Sequence, residues 1–94
     1  MKKRSPTHPG KHLTEFMEEH ELTQYALAKA LGVPQLRISQ IVREQRGITA
    51  DTALRLARYF GMTPEFWLNM QNHYELELAK DKLGKKLERV LVMS

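Results

Sequence analysis

Gly32-Val33-Pro34 is the segment that most limits what this chain can fold into, because it turns one short apolar-periodic stretch directly into another. On its N-terminal side, Thr23 suits the cap of a helix in which Ala26, Leu27, Ala30 and Leu31 face a core. Gly32 supplies a left-handed stop, and Pro34 opens the next helix. That second stretch has Ile38, Ile41 and Val42 as its apolar face and Gln35, Arg37, Ser39, Gln40 and Arg43 as its polar one. Helices joined by so tight a turn meet at a steep angle only if the contact residues are small, and Ala28 stands where they would cross. Val33, Ile38 and Ile41 then lock the second helix onto the scaffold and leave its polar side free.

The flanks repeat the same punctuation. Met1 to His8 carry Pro6, polar and basic residues and no periodicity, and read as a flexible basic arm. Pro9 suits the first position of a helix to about His20, with Leu13, Phe16 and Met17 at helical spacing. Glu44-Gln45-Arg46-Gly47 breaks the pattern before Thr49 caps a fourth helix, whose Ala53, Leu56, Ala57 and Phe60 form a stripe ended by Gly61. Thr63-Pro64-Glu65 begins a fifth helix to about Lys82, with Gly84 as its stop. Within it Phe66, Trp67, Met70 and Tyr74 fall at helical spacing, which makes them core rather than an aromatic ligand box. Residues 85–94 fit two descriptions: Leu87, Val90 and Leu91 suit a helical extension, while Val90 to Met93 is an apolar run able to pair as a short strand. The expected fold is all-α: a five-helix domain over residues 9–84, an arm over 1–8 and a tail over 85–94 available as a dimer contact.

Ninety-four residues with 41% hydrophobic content support one domain with a single modest core. No apolar run is long enough to span a bilayer, and the basic start leads into Ser-Pro-Thr-His-Pro-Gly rather than an apolar signal segment, so a soluble, cytoplasmic chain is expected. The absence of cysteine excludes disulfides, thiolate metal sites and a cysteine nucleophile. His8 and His12 straddle a helix start with no third ligand nearby, so neither a metal nor another cofactor is expected. Without a glycine-rich phosphate loop or a convincing carboxylate or histidine pair, an enzyme is set aside.

A net charge of +4 admits a polyanionic partner, and its distribution says more. Lys2, Lys3, Arg4 and Lys11 are followed by the acidic Glu15, Glu18, Glu19 and Glu21; then come Lys29, Arg37, Arg43 and Arg46 against only Glu44, and a basic tail from Lys80 to Arg89. Such segregation suits one positive face presented to phosphates, although a mixed, solvated surface has the same composition. On the free side of the third helix, glutamine matches adenine N6 and N7, and arginine matches guanine O6 and N7.

Leu22 to Ile41 resembles the helix-turn-helix of phage-repressor-like, Xre-type regulators: Thr23-Gln24 opens one helix, Leu27-Ala28 fills its middle, Gly32-Val33 makes the turn and Ile38 sits in the recognition helix. Over roughly Pro6 to Ala79 the chain is similar to the HigA antitoxins, also called VapI-like. That similarity is carried by His8-Pro9-Gly10, Gln24-Tyr25-Ala26-Leu27-Ala28, Arg46-Gly47-Ile48-Thr49-Ala50-Asp51-Thr52-Ala53-Leu54-Arg55-Leu56-Ala57 and Pro64-Glu65-Phe66-Trp67-Leu68-Asn69-Met70-Gln71. One recognition helix covers only a few base pairs, so a homodimer on an inverted-repeat operator is expected. The resemblance implies an antitoxin that neutralises a RelE-like, HigB-type mRNA-cleaving toxin and represses its own operon. It implies a phosphate contact at Gln24, base-reading positions at Gln35, Leu36, Ser39 and Gln40, Arg37 at their flank, and backbone approach by Arg43 and Arg46. Leu36 departs from the polar residue usual there and suits a thymine methyl. Glu15, Glu18, Glu19 and Glu21 read as a solvated helix surface or, opposite a basic toxin, as its contact. The alternative within binding proteins is a solitary repressor without a toxin. A protein-interaction module that has lost DNA binding is disfavoured by Gln24, Gln35, Gln40 and Arg43.

Overall fold

The computed structural model describes residues 6–93, and the basic Lys2, Lys3 and Arg4 of the expected arm lie outside them. Six helices follow in order: α1 (Pro9–Glu19), α2 (Gln24–Leu31), α3 (Gln35–Val42), α4 (Ala50–Phe60), α5 (Pro64–Leu83) and α6 (Lys85–Glu88). The fold is all-α as expected, with one four-residue helix more, because Gly84 stops α5 and the chain resumes for a single turn. Neither description of the tail holds throughout: Lys85–Glu88 forms one helical turn, no strand forms among the described residues, and residues 89–93 carry no regular structure. No helix of the described residues is long and apolar enough to cross a membrane.

Local chemistry accounts for most boundaries. The Thr23 hydroxyl accepts the Ala26 N–H at 3.0 Å and so satisfies one orphan donor of α2. Gly32 ends α2 at φ 72°, a left-handed conformation that a side chain disfavours, while the Val33 N–H reaches back to the Ala28 carbonyl at 3.0 Å. Thr49 and Thr63 occupy the cap positions of α4 and α5, but neither hydroxyl caps its helix. That of Thr49 donates instead toward Thr52 Oγ1 at 3.5 Å.

Helix α1 packs on α3 and α5, α2 on α3 and α4, and α4 along α5. One cluster holds the bundle: Leu13 and Met17 from α1, Leu27, Ala28 and Leu31 from α2, Ile38 and Ile41 from α3, Ile48 from the following loop, Ala53 and Leu56 from α4, and Trp67 from α5. Around Trp67 the rings of Phe16 and Phe66 stand with centroids 5.2 and 5.3 Å away. Ala30 departs from its expected place and is exposed, because α2 buries a narrow line through Leu27, Ala28 and Leu31 and leaves its flank to solvent. Phe66 likewise lies at the rim, with its ring edge on Trp67 and its other side exposed.

The last residue of the expected arm belongs to the fold. His8 is buried, its Nδ1 accepts the Gly10 N–H at 2.9 Å as the cap of α1, and its ring stands edge-on to Tyr74 at 4.8 Å. Beside it Gly10 touches the end of α3 so closely that a β-carbon there would stand 2.1 Å from the Ile41 carbonyl oxygen. The first turn of α1 is thereby pressed onto the C-terminus of α3.

Backbone cannot yield as a flexible side chain can, so Gly10→Ala is expected to destabilise the fold by at least about 1–3 kcal/mol in urea titrations. His8 adds a pH dependence. Burial holds its imidazole below the ordinary histidine value, with Glu44 pulling the other way, and the cap itself requires a neutral Nδ1. The unfolded chain takes up this proton near about 6.5, and the folded one only at lower pH. Stability from His8 is therefore complete above that value and is lost as pH falls toward the folded pKa. His8→Asn, which caps without titrating, should show a smaller drop in urea midpoint between pH 7 and pH 5 than the wild type.

Candidate nucleic-acid interface

Helix α3 buries Ile38 and Ile41 completely, and this fixes what its other side presents. Leu36, Ser39, Gln40 and Arg43 follow at three-, four- and seven-residue steps and form one outward stripe opposite the two isoleucines. Leu36 is 63% exposed. Gln35 is exposed at the start of the helix, and Arg43 ends it with its backbone N–H on the Ser39 carbonyl at 3.0 Å. Ser39 and Gln40 are half-buried. The Oε1 of Gln40 is buried with no hydrogen-bond partner among the described residues.

The remaining expected residues fall in three places. Gln24 is the first residue of α2, half-buried, and Arg46 is exposed on the loop from α3 to α4. Arg37 does not share the outward stripe: its Nη1 donates to Asp51 Oδ2 at 2.5 Å, and its side chain is only 25% exposed. Glu15, Glu18 and Glu19 form an exposed acidic side of α1, and Glu21 follows in a left-handed conformation at φ 52°. Glu44 adopts the same conformation at φ 62° and gives the α3–α4 loop its bend.

Three residues that organise this surface were not legible as such. Asp51, in the first turn of α4, accepts from both Arg37 and Arg55, the latter through Nε at 3.0 Å. These two guanidiniums, with Arg37 contributing most, hold the Asp51 carboxyl below the usual carboxylate range. Arg55 also donates from Nη1 to the Leu31 and Gly32 carbonyls, at 2.7 and 3.3 Å. The third is Gln71 of α5, whose buried Oε1 accepts the Ile48 N–H at 2.7 Å and whose amide lies against Gly47. The four-residue spacing of Asp51 and Arg55 signals a helical ion pair. Nothing in the sequence links that pair to Arg37, or Gln71 to the loop.

Because Gln71 closes an otherwise unpaired buried donor, Gln71→Leu is expected to cost about 1–3 kcal/mol of stability. Hydrogen exchange should show the Ile48 amide losing protection ahead of the core helices.

The helix-turn-helix family matches residues 13–68. Virulence-associated protein I of Dichelobacter nodosus is 58% identical over 74 residues, covering 78% of this chain and 68% of the relative. An addiction module antidote protein of a HigA family from Coxiella burnetii superposes with a TM-score of 0.89 at 44% identity, over 97% of this chain and 100% of its own. The Pseudomonas aeruginosa antitoxin HigA, solved with the higBA promoter, superposes with a TM-score of 0.88 at 45% identity, over 93% of this chain and 96% of its own.

Proposed function

Since this chain belongs to the helix-turn-helix family, and within it to the HigA-type antidote proteins, we propose that it is an antitoxin that represses its own operon by major-groove binding. This is a family of DNA-binding regulators rather than of enzymes. The observation that carries the reading is the outward stripe of α3. Leu36 and Arg43 are exposed, and Ser39 and Gln40 half-buried, on the side of α3 opposite Ile38 and Ile41, in a chain whose Pseudomonas relative was solved with promoter DNA. Gln35 and Gln40 suit adenine edges, Leu36 a thymine methyl, and Ser39 either a donor or an acceptor on a base edge. To read an adenine, Gln40 turns its amide outward, since its Oε1 is buried in the free protein. Gln24, Arg43 and Arg46 approach phosphates and set register rather than sequence. Arg37 stands at the edge of this surface with its guanidinium already engaged by Asp51.

One such helix covers only a few base pairs, so a specific site calls for two copies about 34 Å apart on an inverted repeat. The surface that suits dimerisation is the apolar line Leu76, Leu83, Leu87 and Val90, all exposed on α5, α6 and the tail. The toxin is a RelE-like, HigB-type ribonuclease. Such enzymes are basic because they approach RNA, and the acidic side of α1 with Glu21 is their complementary contact.

Arg43→Ala should weaken binding to every duplex and lower the salt slope by about one counterion, whereas Gln40→Ala should cost about 1–3 kcal/mol on the selected site alone. Fluorescence anisotropy against a selected and a random duplex measures both, and equal losses on the two for Gln40→Ala overturn the assigned readout. For the toxin, co-expression with the adjacent small reading frame should restore growth that the frame alone arrests. Reversing charge at Glu15, Glu18 and Glu19 should abolish that rescue without changing operator affinity. A frame harmless alone, or toxic beside this protein, leaves a solitary repressor as the better account.

A further inference from the structure

Apolar packing fixes which side of α3 faces the core but leaves fine rotation of the helix about its own axis to be set further, because dispersion and burial are not directional. Charge-assisted hydrogen bonds are. A single oxygen, Asp51 Oδ2, accepts from Arg37 on α3 and from Arg55 on α4, and the same Arg55 guanidinium donates to the carbonyls that end α2 at Leu31 and Gly32. Both halves of the helix-turn-helix, and the turn between them, are thus referenced to one carboxylate in the first turn of α4. Arg37 precedes the buried Ile38 and follows the exposed Leu36, so its tether acts at the edge between the buried and the outward sides of the helix.

We infer that Asp51 is a positioning residue for specificity: through Arg37 it sets the rotation of α3, and through Arg55 it holds that helix to the end of α2. The inference rests on the major-groove reading of α3. It gives Arg37 a role different from a phosphate contact, since its Nη1 is already bonded to Asp51. It also reverses what charge alone requires. An aspartate near a DNA-binding surface repels phosphate, so Asp51→Asn, by simple electrostatics, tightens binding to all duplexes. If Asp51 positions the helix, the same substitution weakens binding where base contacts count and spares or tightens it elsewhere.

The test uses the full-length protein, a duplex that the wild type selects from a randomised pool, and a random duplex of equal length. Asp51→Asn should lose at least about ten-fold on the selected duplex, the equivalent of one misaligned base contact, and lose nothing on the random one. Arg37→Gln leaves the first turn of α4 intact and should behave the same way. The double variant should lose no more than either single one, as expected of residues acting through one bond. Asp51→Glu, which retains the charged carboxylate, should restore part of the discrimination. Tighter binding of Asp51→Asn to both duplexes, or equal losses on both for Arg37→Gln, overturns the inference and makes Arg37 a phosphate contact. A wild type that enriches no sequence overturns instead the DNA-reading proposal on which it rests.

Discussion

A helix of eight residues closes too few internal hydrogen bonds to persist alone in water, so α3 exists because Ile38 and Ile41 are buried against the α1 and α2 side of the cluster. Burying two such side chains contributes about 1.5–3 kcal/mol each, enough to hold a short helix that its own propensity would not. The same burial decides which residues face outward. Leu36, Ser39, Gln40 and Arg43 are presented because the two isoleucines occupy the opposite side, and no separate device is needed to expose them.

Three polar or close contacts then refine what burial leaves loose. Gly10 meets the Ile41 carbonyl at the C-terminal end of α3, Asp51 holds Arg37 near its N-terminal end, and Gln71 holds Ile48 on the loop beyond. They come from α1, α4 and α5, so each remaining large helix contributes one fixed point to α3 or its exit. A scaffold of this kind separates two tasks: the core supplies stability, and directional contacts at the rim supply orientation.

Much of this was readable in advance, for a physical reason. Capping, turns and helical periodicity are local, and Thr23, Gly32, Pro34 and the stripe through Leu56 announce their elements within one or two turns of chain. The outward residues of α3 followed from the same local period once Ile38 and Ile41 were assigned inward. What escaped is non-local. His8 looks like part of an unpatterned arm because its burial depends on Tyr74, far along the chain. Ala30 looks like core because periodicity cannot tell how wide a buried line will be. Thr49 and Thr63 take cap positions without capping, since their hydroxyls are not what the local backbone uses. Asp51 and Gln71 act on partners 14 and 23 residues away, a distance over which spacing rules say nothing.

The chain has one tryptophan, and the fold puts it in the middle of the shared cluster, fully buried and ringed by Phe16 and Phe66. Its indole nitrogen has no acceptor among the described residues. Light emission from Trp67 therefore comes from an indole in apolar surroundings, and solvent reaches it only when the core opens. The outer side of α3 carries no tryptophan of its own. The protein is consequently born with an optical gauge of core integrity, carried by a different helix from the outer stripe of α3, and needs no label to tell a loosened variant from a well-folded one.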